Sequence, residues 1–113
     1  MVRIGFIGAG NMARSLAQGL IQDGIPSSEI VATDPDAGQR EQLAALGIRT
    51  SDDNALACQA QNVIVAVKPQ IAGKVLTALP KLDVQQVIVS IMAGIKASSI
   101  ETWLGGHQSI IRC

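Results

Sequence analysis

Hydrophobic and polar positions along the chain follow two periods that take turns. Val2 to Ile7 is an apolar run broken only by Arg3 and Gly5 and closed by Gly8 and Gly10, which predicts a buried strand entering a tight turn. From Met12 the spacing changes, and Met12, Leu16, Leu20 and Ile21 recur with Arg14, Gln18 and Gln22 between them. That is the period of an amphipathic helix, ended by Gly24 and Pro26. Ile30 to Thr33 predicts a second strand ended by Asp34 and Pro35, and Arg40 to Leu46 a helix stopped by Gly47. Ile48 to Thr50 reads as a short third strand, after which Ser51, Asp52, Asp53 and Asn54 offer N-caps for a helix from Ala55.

The second half repeats the alternation. Val63 to Val67 is uniformly apolar, as a strand covered on both faces should be, and Lys68 and Pro69 end it. A helix from Ile71 to Leu79, a strand from Val87 to Met92 and a turn at Ala93 and Gly94 follow. Ser98 and Glu101 have the spacing of a capping box before Trp103 and Leu104, Gly105 and Gly106 stop that short helix, and Ser109 to Arg112 begins a last strand. Strands that alternate with helices pair in parallel through helical crossovers. The predicted fold is therefore α/β: a doubly wound, mostly parallel six-stranded sheet with helices on both faces. No linker, repeat or low-complexity segment divides it, so residues 1–113 are expected to form one domain.

Composition narrows the function. Hydrophobic residues are 48% and charged residues 16% of the 113, a balance that folds rather than stays disordered. Zero net charge and 2% aromatic residues lack the basic, base-stacking footprint of a nucleic-acid binder. Cys58 and Cys113 match no metal-ligand spacing and no disulfide framework, so no metal site is expected and the setting is a reducing one. Cys58 reads as a small buried residue. The apolar start is interrupted before a signal peptide could form, and the longest apolar stretch, Val87 to Ile95, is far below the ~20 residues that span a bilayer. A cytoplasmic protein without a membrane partner is the expectation.

The chemistry concentrates in Gly8-Ala9-Gly10-Asn11-Met12-Ala13, a G-x-G-x-x-A motif between the first strand and the first helix. In that context Gly8 permits the tight turn, Gly10 lets backbone approach a pyrophosphate, and Ala13 lets helix and strand pack closely, as in Rossmann-type dinucleotide-binding domains. The free amides of the first helical turn are placed to hold the anion. Asp34 follows Ala13 by 21 positions, near the ~20 expected of the acidic residue that hydrogen-bonds an adenosine ribose. The weaker alternative is a turn or cap residue before Pro35. A carboxylate there favours NAD over NADP, while Arg40 is either a compensating cation or a solvated helix charge. Lys68, at the carboxyl end of a central strand, reads as a site cation or as a loop lysine whose backbone matters more. His107 reads as solvated in a polar loop, and Met92 and Trp103 as packing. No side chain is assigned as a proton donor.

Ile4 to Ala13 (IGFIGAGNMA), Ala66 to Gln70 (AVKPQ), Ser90 to Ile95 (SIMAGI) and the closing Ile111, Arg112 and Cys113 together resemble the N-terminal domain of the pyrroline-5-carboxylate reductases, over essentially the whole chain. The resemblance implies reduction of 1-pyrroline-5-carboxylate to L-proline with NADPH or NADH, the last step of proline biosynthesis. It implies that Ile7 and the loop Gly8 to Ala13 hold the cofactor pyrophosphate, and that Asp34 faces the adenosine ribose. Asn54 and the segment Ala66, Val67, Lys68 and Pro69 would line the ribose and nicotinamide end, with Ala93 and Gly94 passing close to it. Family members continue, beyond the position of Cys113, into a helical domain that forms the homo-oligomer and supplies the substrate-binding groups. The chain is accordingly expected to be the cofactor-binding part, inactive alone. The competing reading is a non-catalytic nucleotide-sensing module of the same fold, against which AVKPQ and the AGI turn weigh.

Overall fold

A computed structural model describes residues 2–106 and 109–112; His107 and Cys113, two of the positions weighed from sequence, lie outside the described residues. The chain forms β1 (Ile4–Ile7), α1 (Asn11–Gln22), β2 (Ile30–Thr33), α2 (Ala37–Ala44), β3 (Arg49–Ser51), β4 (Asn62–Val65), α3 (Ala72–Thr77), β5 (Val87–Ser90), α4 (Ala97–Trp103) and β6 (Ile110–Arg112). Short 3-10 turns at Ser27–Glu29, Ala57–Gln59 and Pro69–Ile71 complete the connections. The sheet runs β3-β2-β1-β4-β5-β6, and every pairing in it is parallel. This is the doubly wound Rossmann-type sheet the pattern predicts.

Alternation along each strand assigns the two faces. On one, Ile4, Phe6, Ile30 and Ala32 pack with Ala13 and Ala17 of α1 and Leu43 of α2. On the other, Ile7, Val63, Val65 and Ile88 pack with Ala57, Ala72 and Leu76, and with Ile100 of α4. Strands buried from both sides need no polar face, which is why they are almost wholly apolar. The only fully buried α1 side chains are the alanines at 13 and 17, so this helix lies close over β1.

Caps account for most of the element boundaries. Past α1, Ile25 N–H donates to the Leu20 carbonyl and Gly24 N–H to that of Ile21, with Gly24 at φ +105°, a Schellman ending. α2 starts at Ala37, earlier than its apolar residues predict, because the Asp36 carboxylate accepts from Gly38 N–H at 2.8 Å. The helix expected from Ala55 does not form. Asp53 does accept from Ala55 N–H, but the chain makes only the 3-10 turn at Ala57–Gln59 as it crosses to the opposite face. There the Gln86 side chain donates to the carbonyls of Cys58 and Ala60, each at 2.6 Å, replacing helical donors. The capping box at Ser98 and Glu101 is absent too: Ser98 lies inside α4, whose N-cap position is Lys96 with no side-chain bond. The strands predicted to end at Val67 and Met92 end at Val65 and Ser90, because Ala66 and Ile91 make the last ladder bonds before the chain turns out.

Cys58 is buried, and burial first, with the nearby Asp53 carboxylate, pushes its thiol from 9.0 up to about 11. It packs as a neutral, small apolar group. Trp103 packs over Gly73, where an added Cβ would come within 3.1 Å of the indole. Among the described residues no helix is long and apolar enough to cross a membrane, and no cluster of His, Cys, Asp or Glu could hold a metal.

Gly5 faces the crossover so closely that an added Cβ would overlap the Ala57 carbonyl oxygen and sit 2.9 Å from its Cα. Overpacking against backbone cannot be relieved by a rotamer change. Gly5→Ala is therefore expected to lower unfolding free energy by about 1–3 kcal/mol, read from urea unfolding midpoints.

Candidate functional site

The strand order reverses between β1 and β4, and a crevice opens at the carboxyl ends of these strands. Open parallel sheets bind ligands there. Ala66 N–H donates to the Ile7 carbonyl and Gly8 N–H to the Thr33 carbonyl, both at 2.8 Å, so the loop leaves the sheet pinned from both neighbours. Gly8 turns at φ +102°, and an added Cβ would lie 2.8 Å from the Ala66 oxygen. Glycine is needed here for both conformation and space.

Gly10 differs. It is the N-cap of α1 with φ −78° and ψ −168°, a backbone any residue adopts, and an added Cβ would meet no protein atom within 4 Å. Neither strain nor packing in the protein explains a glycine at this position. A glycine at this N-cap leaves that side of the backbone open to the approach of a ligand. α1 has no side-chain cap, and its first intrahelical bond is from Arg14 N–H to Gly10 O, so the amides of Asn11, Met12 and Ala13 stand at the positive end of the helix dipole without an intrahelical acceptor. Bare amides beside a backbone with no Cβ fit a diphosphate.

A cleft of about 410 Å³ runs across this edge. Of the residues singled out from sequence, it is lined by Ile7, Gly8, Gly10, Asp34, Asn54, Ala66, Val67 and Lys68. Ala9 and Ala13 are buried beneath it in the α1 core, so only their backbone could serve a ligand. Asn11 is exposed and accepts from Arg14 Nη2 at 3.0 Å, and Met12 is 61% exposed. Pro69 opens the 3-10 turn after β4. Ala93 and Gly94 form an exposed turn beyond β5, outside the cleft lining.

Asp34 lies at the centre of the loop contacts. Its Oδ2 accepts from Ala9 N–H and its Oδ1 from Asp36 N–H, each at 2.9 Å. Arg40 is not a freely solvated helix charge, since its Nη1 donates to the Asp34 main-chain oxygen at 2.8 Å. Buried Thr33 sits 2.7 Å from Asn54 Oδ1 and 3.3 Å from the Phe6 carbonyl. A hydroxyl has one proton, and the shorter contact takes it. The Asn54 carbonyl oxygen is thereby engaged, leaving its amide N–H groups for the cleft.

Thr33, Asp36, Gln39, Asp52, Ile71 and Val75 also line the cleft and were not identified from sequence. Thr33 and Asp52 carried a usable signal, because the carboxyl ends of parallel strands all meet at one edge. The others depend on how α2 and α3 begin. Lys68 is the only cation lining the cleft among the described residues, and Asp34, Asp36 and Asp52 line the same cleft.

The family described as NADP oxidoreductase, coenzyme F420-dependent, matches residues 3–94. A pyrroline-5-carboxylate reductase of Pseudomonas aeruginosa is 47% identical over 98% of this chain and 42% of its own length, and one of Pisum sativum is 39% identical over 96% and 41%. The chain thus spans about two fifths of the length of these curated relatives. Among solved structures, a pyrroline-5-carboxylate reductase of Coxiella burnetii superposes with a TM-score of 0.86 at 30% identity, over 98% of this chain and 43% of that one. A pyrroline carboxylate reductase of Plasmodium falciparum, solved with NADP bound, has a TM-score of 0.80 at 23% identity over 98% and 41%, a likeness of fold.

The two glycines should separate in a stability measurement. Gly8→Ala is expected to cost at least about 2 kcal/mol, from left-handed backbone strain and the clash at Ala66. Gly10→Ala should change unfolding free energy by less than about 1 kcal/mol.

Proposed function

The chain belongs to the NADP oxidoreductase family described as coenzyme F420-dependent, and on that premise we propose that it is the cofactor-binding domain of a pyrroline-5-carboxylate reductase. The complete enzyme would reduce the C=N bond of 1-pyrroline-5-carboxylate to give L-proline, using NADPH or NADH, in cytoplasmic proline biosynthesis. The observation that carries the reading is Gly10: a glycine that neither its backbone angles nor its neighbours require, lining the cleft as the N-cap of a helix whose first-turn amides have no intrahelical acceptor. The similarity to curated pyrroline-5-carboxylate reductases over nearly the whole chain supports the substrate.

The bound dinucleotide would supply hydride from its reduced nicotinamide to the imine carbon. The chain's own residues bind and orient. The loop Gly8 to Ala13 cradles the diphosphate, with the first-turn N–H groups of α1 as donors because those of Gly8 and Ala9 are already engaged, and Asp34 takes the adenosine ribose. Asn54 offers its amide N–H groups with its oxygen fixed by Thr33, while Ala66, Val67, Lys68 and Pro69 form the wall after β4, with Ala93 and Gly94 beyond β5 nearest the substrate side. Such a domain works by positioning and electrostatics. The groups that bind the substrate carboxylate and imine, and the homo-oligomer contacts, belong in this proposal to the additional length of the relatives.

Calorimetric titration of the 113-residue chain with NADPH and with NADH tests the proposal. One dinucleotide should bind per chain, with no turnover of 1-pyrroline-5-carboxylate by the chain alone. Gly10→Val should weaken binding by at least about tenfold, the loss expected when a side chain occupies an anion's place, while leaving the melting temperature unchanged. Failure of both dinucleotides to bind the unsubstituted chain would overturn it.

A further inference from the structure

The helical layer on the α1 face stops before the sheet does. Strand register carries one row of side chains from β2 to β6, pairing Ala32 with Phe6, Phe6 with Ile64, Ile64 with Val89 and Val89 with Ile111. Ala32 and Phe6 are fully buried in the core beneath α1 and α2. Ile64 and Val89 are only half-buried, and Ile111 is 53% exposed. Val87 shares this face by alternation with Ile88, and Val87, Val89 and Ile111 join neither apolar core.

Winding explains the gap. Right-handed crossovers outward from β4 to β5 and from β5 to β6 lay α3 and α4 on the opposite face, where Leu76 and Ile100 pack with Ile88. Among the described residues, α1 is therefore the last helix on this side. It meets the sheet through fully buried Ala13 and Ala17, whereas Leu16 is 38% exposed and Met12 more so. In a right-handed helix over a right-handed β1-α1-β2 crossover, the flank that carries Leu16 and Met12 is the one turned toward β4. The result is a trough with Leu16 as its wall and Ile64, Val87, Val89 and Ile111 as its floor, and none of these side chains is charged.

Parallel sheets are covered by helices on both faces, and a contiguous exposed apolar patch marks a contact. A floor of aliphatic side chains alone lacks the convergent polar groups that orient a small ligand. The Pseudomonas aeruginosa relative has more than half of its length outside the part this chain matches, 42% being matched. We propose that the trough is the docking surface for one amphipathic α-helix from that unmatched length, with its apolar side on Val89 and Ile111 and its edge along Leu16. Dinucleotide binding uses the carboxyl edge of the sheet and is independent of this face, so failure of either proposal leaves the other standing.

The test titrates the 113-residue chain, with its Ile, Leu and Val methyl groups labelled for NMR, against the unmatched part of the Pseudomonas aeruginosa reductase. That part is supplied both as one polypeptide and as overlapping peptides of about 25 residues, long enough to cross the face as a helix at ~1.5 Å per residue. One helical segment should shift the methyls of Leu16, Ile64, Val89 and Ile111 and leave those of Ile88 and Ile100 unchanged. Leu16→Asp and Ile111→Asp should each weaken its binding by at least about tenfold, as loss of a central apolar contact does, with the urea midpoint of each variant alone as the control for folding. Val84→Asp, at an exposed valine in the turn before β5, should leave binding unchanged. Absence of any segment that shifts the trough methyls, or shifts confined to the opposite core, overturns the proposal. Shifts of the same methyls with chain concentration alone assign the trough to a second copy of this chain and overturn it as well.

Discussion

The carboxyl ends of β1 and β4 meet where Gly8 lies against the main chain of Ala66, with no room for a Cβ between them. This approach falls where the sheet reverses order, and the rest of the site follows from it. It turns the chain out of β1 at a positive φ and starts α1 at Gly10, so the helix presents its amino end over the cleft. The alanines at 13 and 17 bring α1 down onto β1, with its N-cap Gly10 in the lining of the crevice. A bulkier residue at Gly8, Ala13 or Ala17 would move the helix end away from the edge where β2 and β4 deliver Asp34, Ala66 and Lys68.

The charge pattern of the cleft is uneven, and the unevenness has chemical meaning. At the loop the attraction for an anion comes from backbone dipoles rather than from a side-chain cation. Toward the ends of β2 and β3 the lining is acidic, through Asp34, Asp36 and Asp52, and past β4 it carries Lys68. A dinucleotide laid across the switch point would place its diphosphate on the amides, its adenosine ribose toward the carboxylates and its nicotinamide end toward Lys68. The Thr33 and Asn54 pair shows how buried polarity serves the same edge. Thr33 has no exposed surface, yet its hydroxyl satisfies itself on Asn54 and so fixes which atoms Asn54 turns to the cleft.

Much of this was legible in the sequence because it is local. The glycine spacing, the apolar strands and the α1 stop at Gly24 each depend on residues within one turn or one strand. What escaped depends on partners far along the chain. Gln86 completes the crossover from 26 to 28 residues away, which replaces the helix expected at Ala55 with a single 3-10 turn. Thr33 appeared only as a strand terminus because its partner Asn54 is 21 residues on. Ser98 and Glu101 have the capping-box spacing without its geometry, since α4 had already begun at Ala97. The early start of α2 was local and still missed: an Asp36 cap lies outside an apolar period, and the helix buries only Leu43.

The central claim is that backbone nitrogen at the start of α1 binds a diphosphate in the space Gly10 leaves open. A crystal structure of the chain grown with NADH or NADPH tests it most directly. The account predicts diphosphate oxygens within hydrogen-bonding distance of the Asn11 and Met12 amides, in contact with the Gly10 Cα. A dinucleotide bound elsewhere on the chain, or a diphosphate held by side chains with those amides turned away, would contradict it.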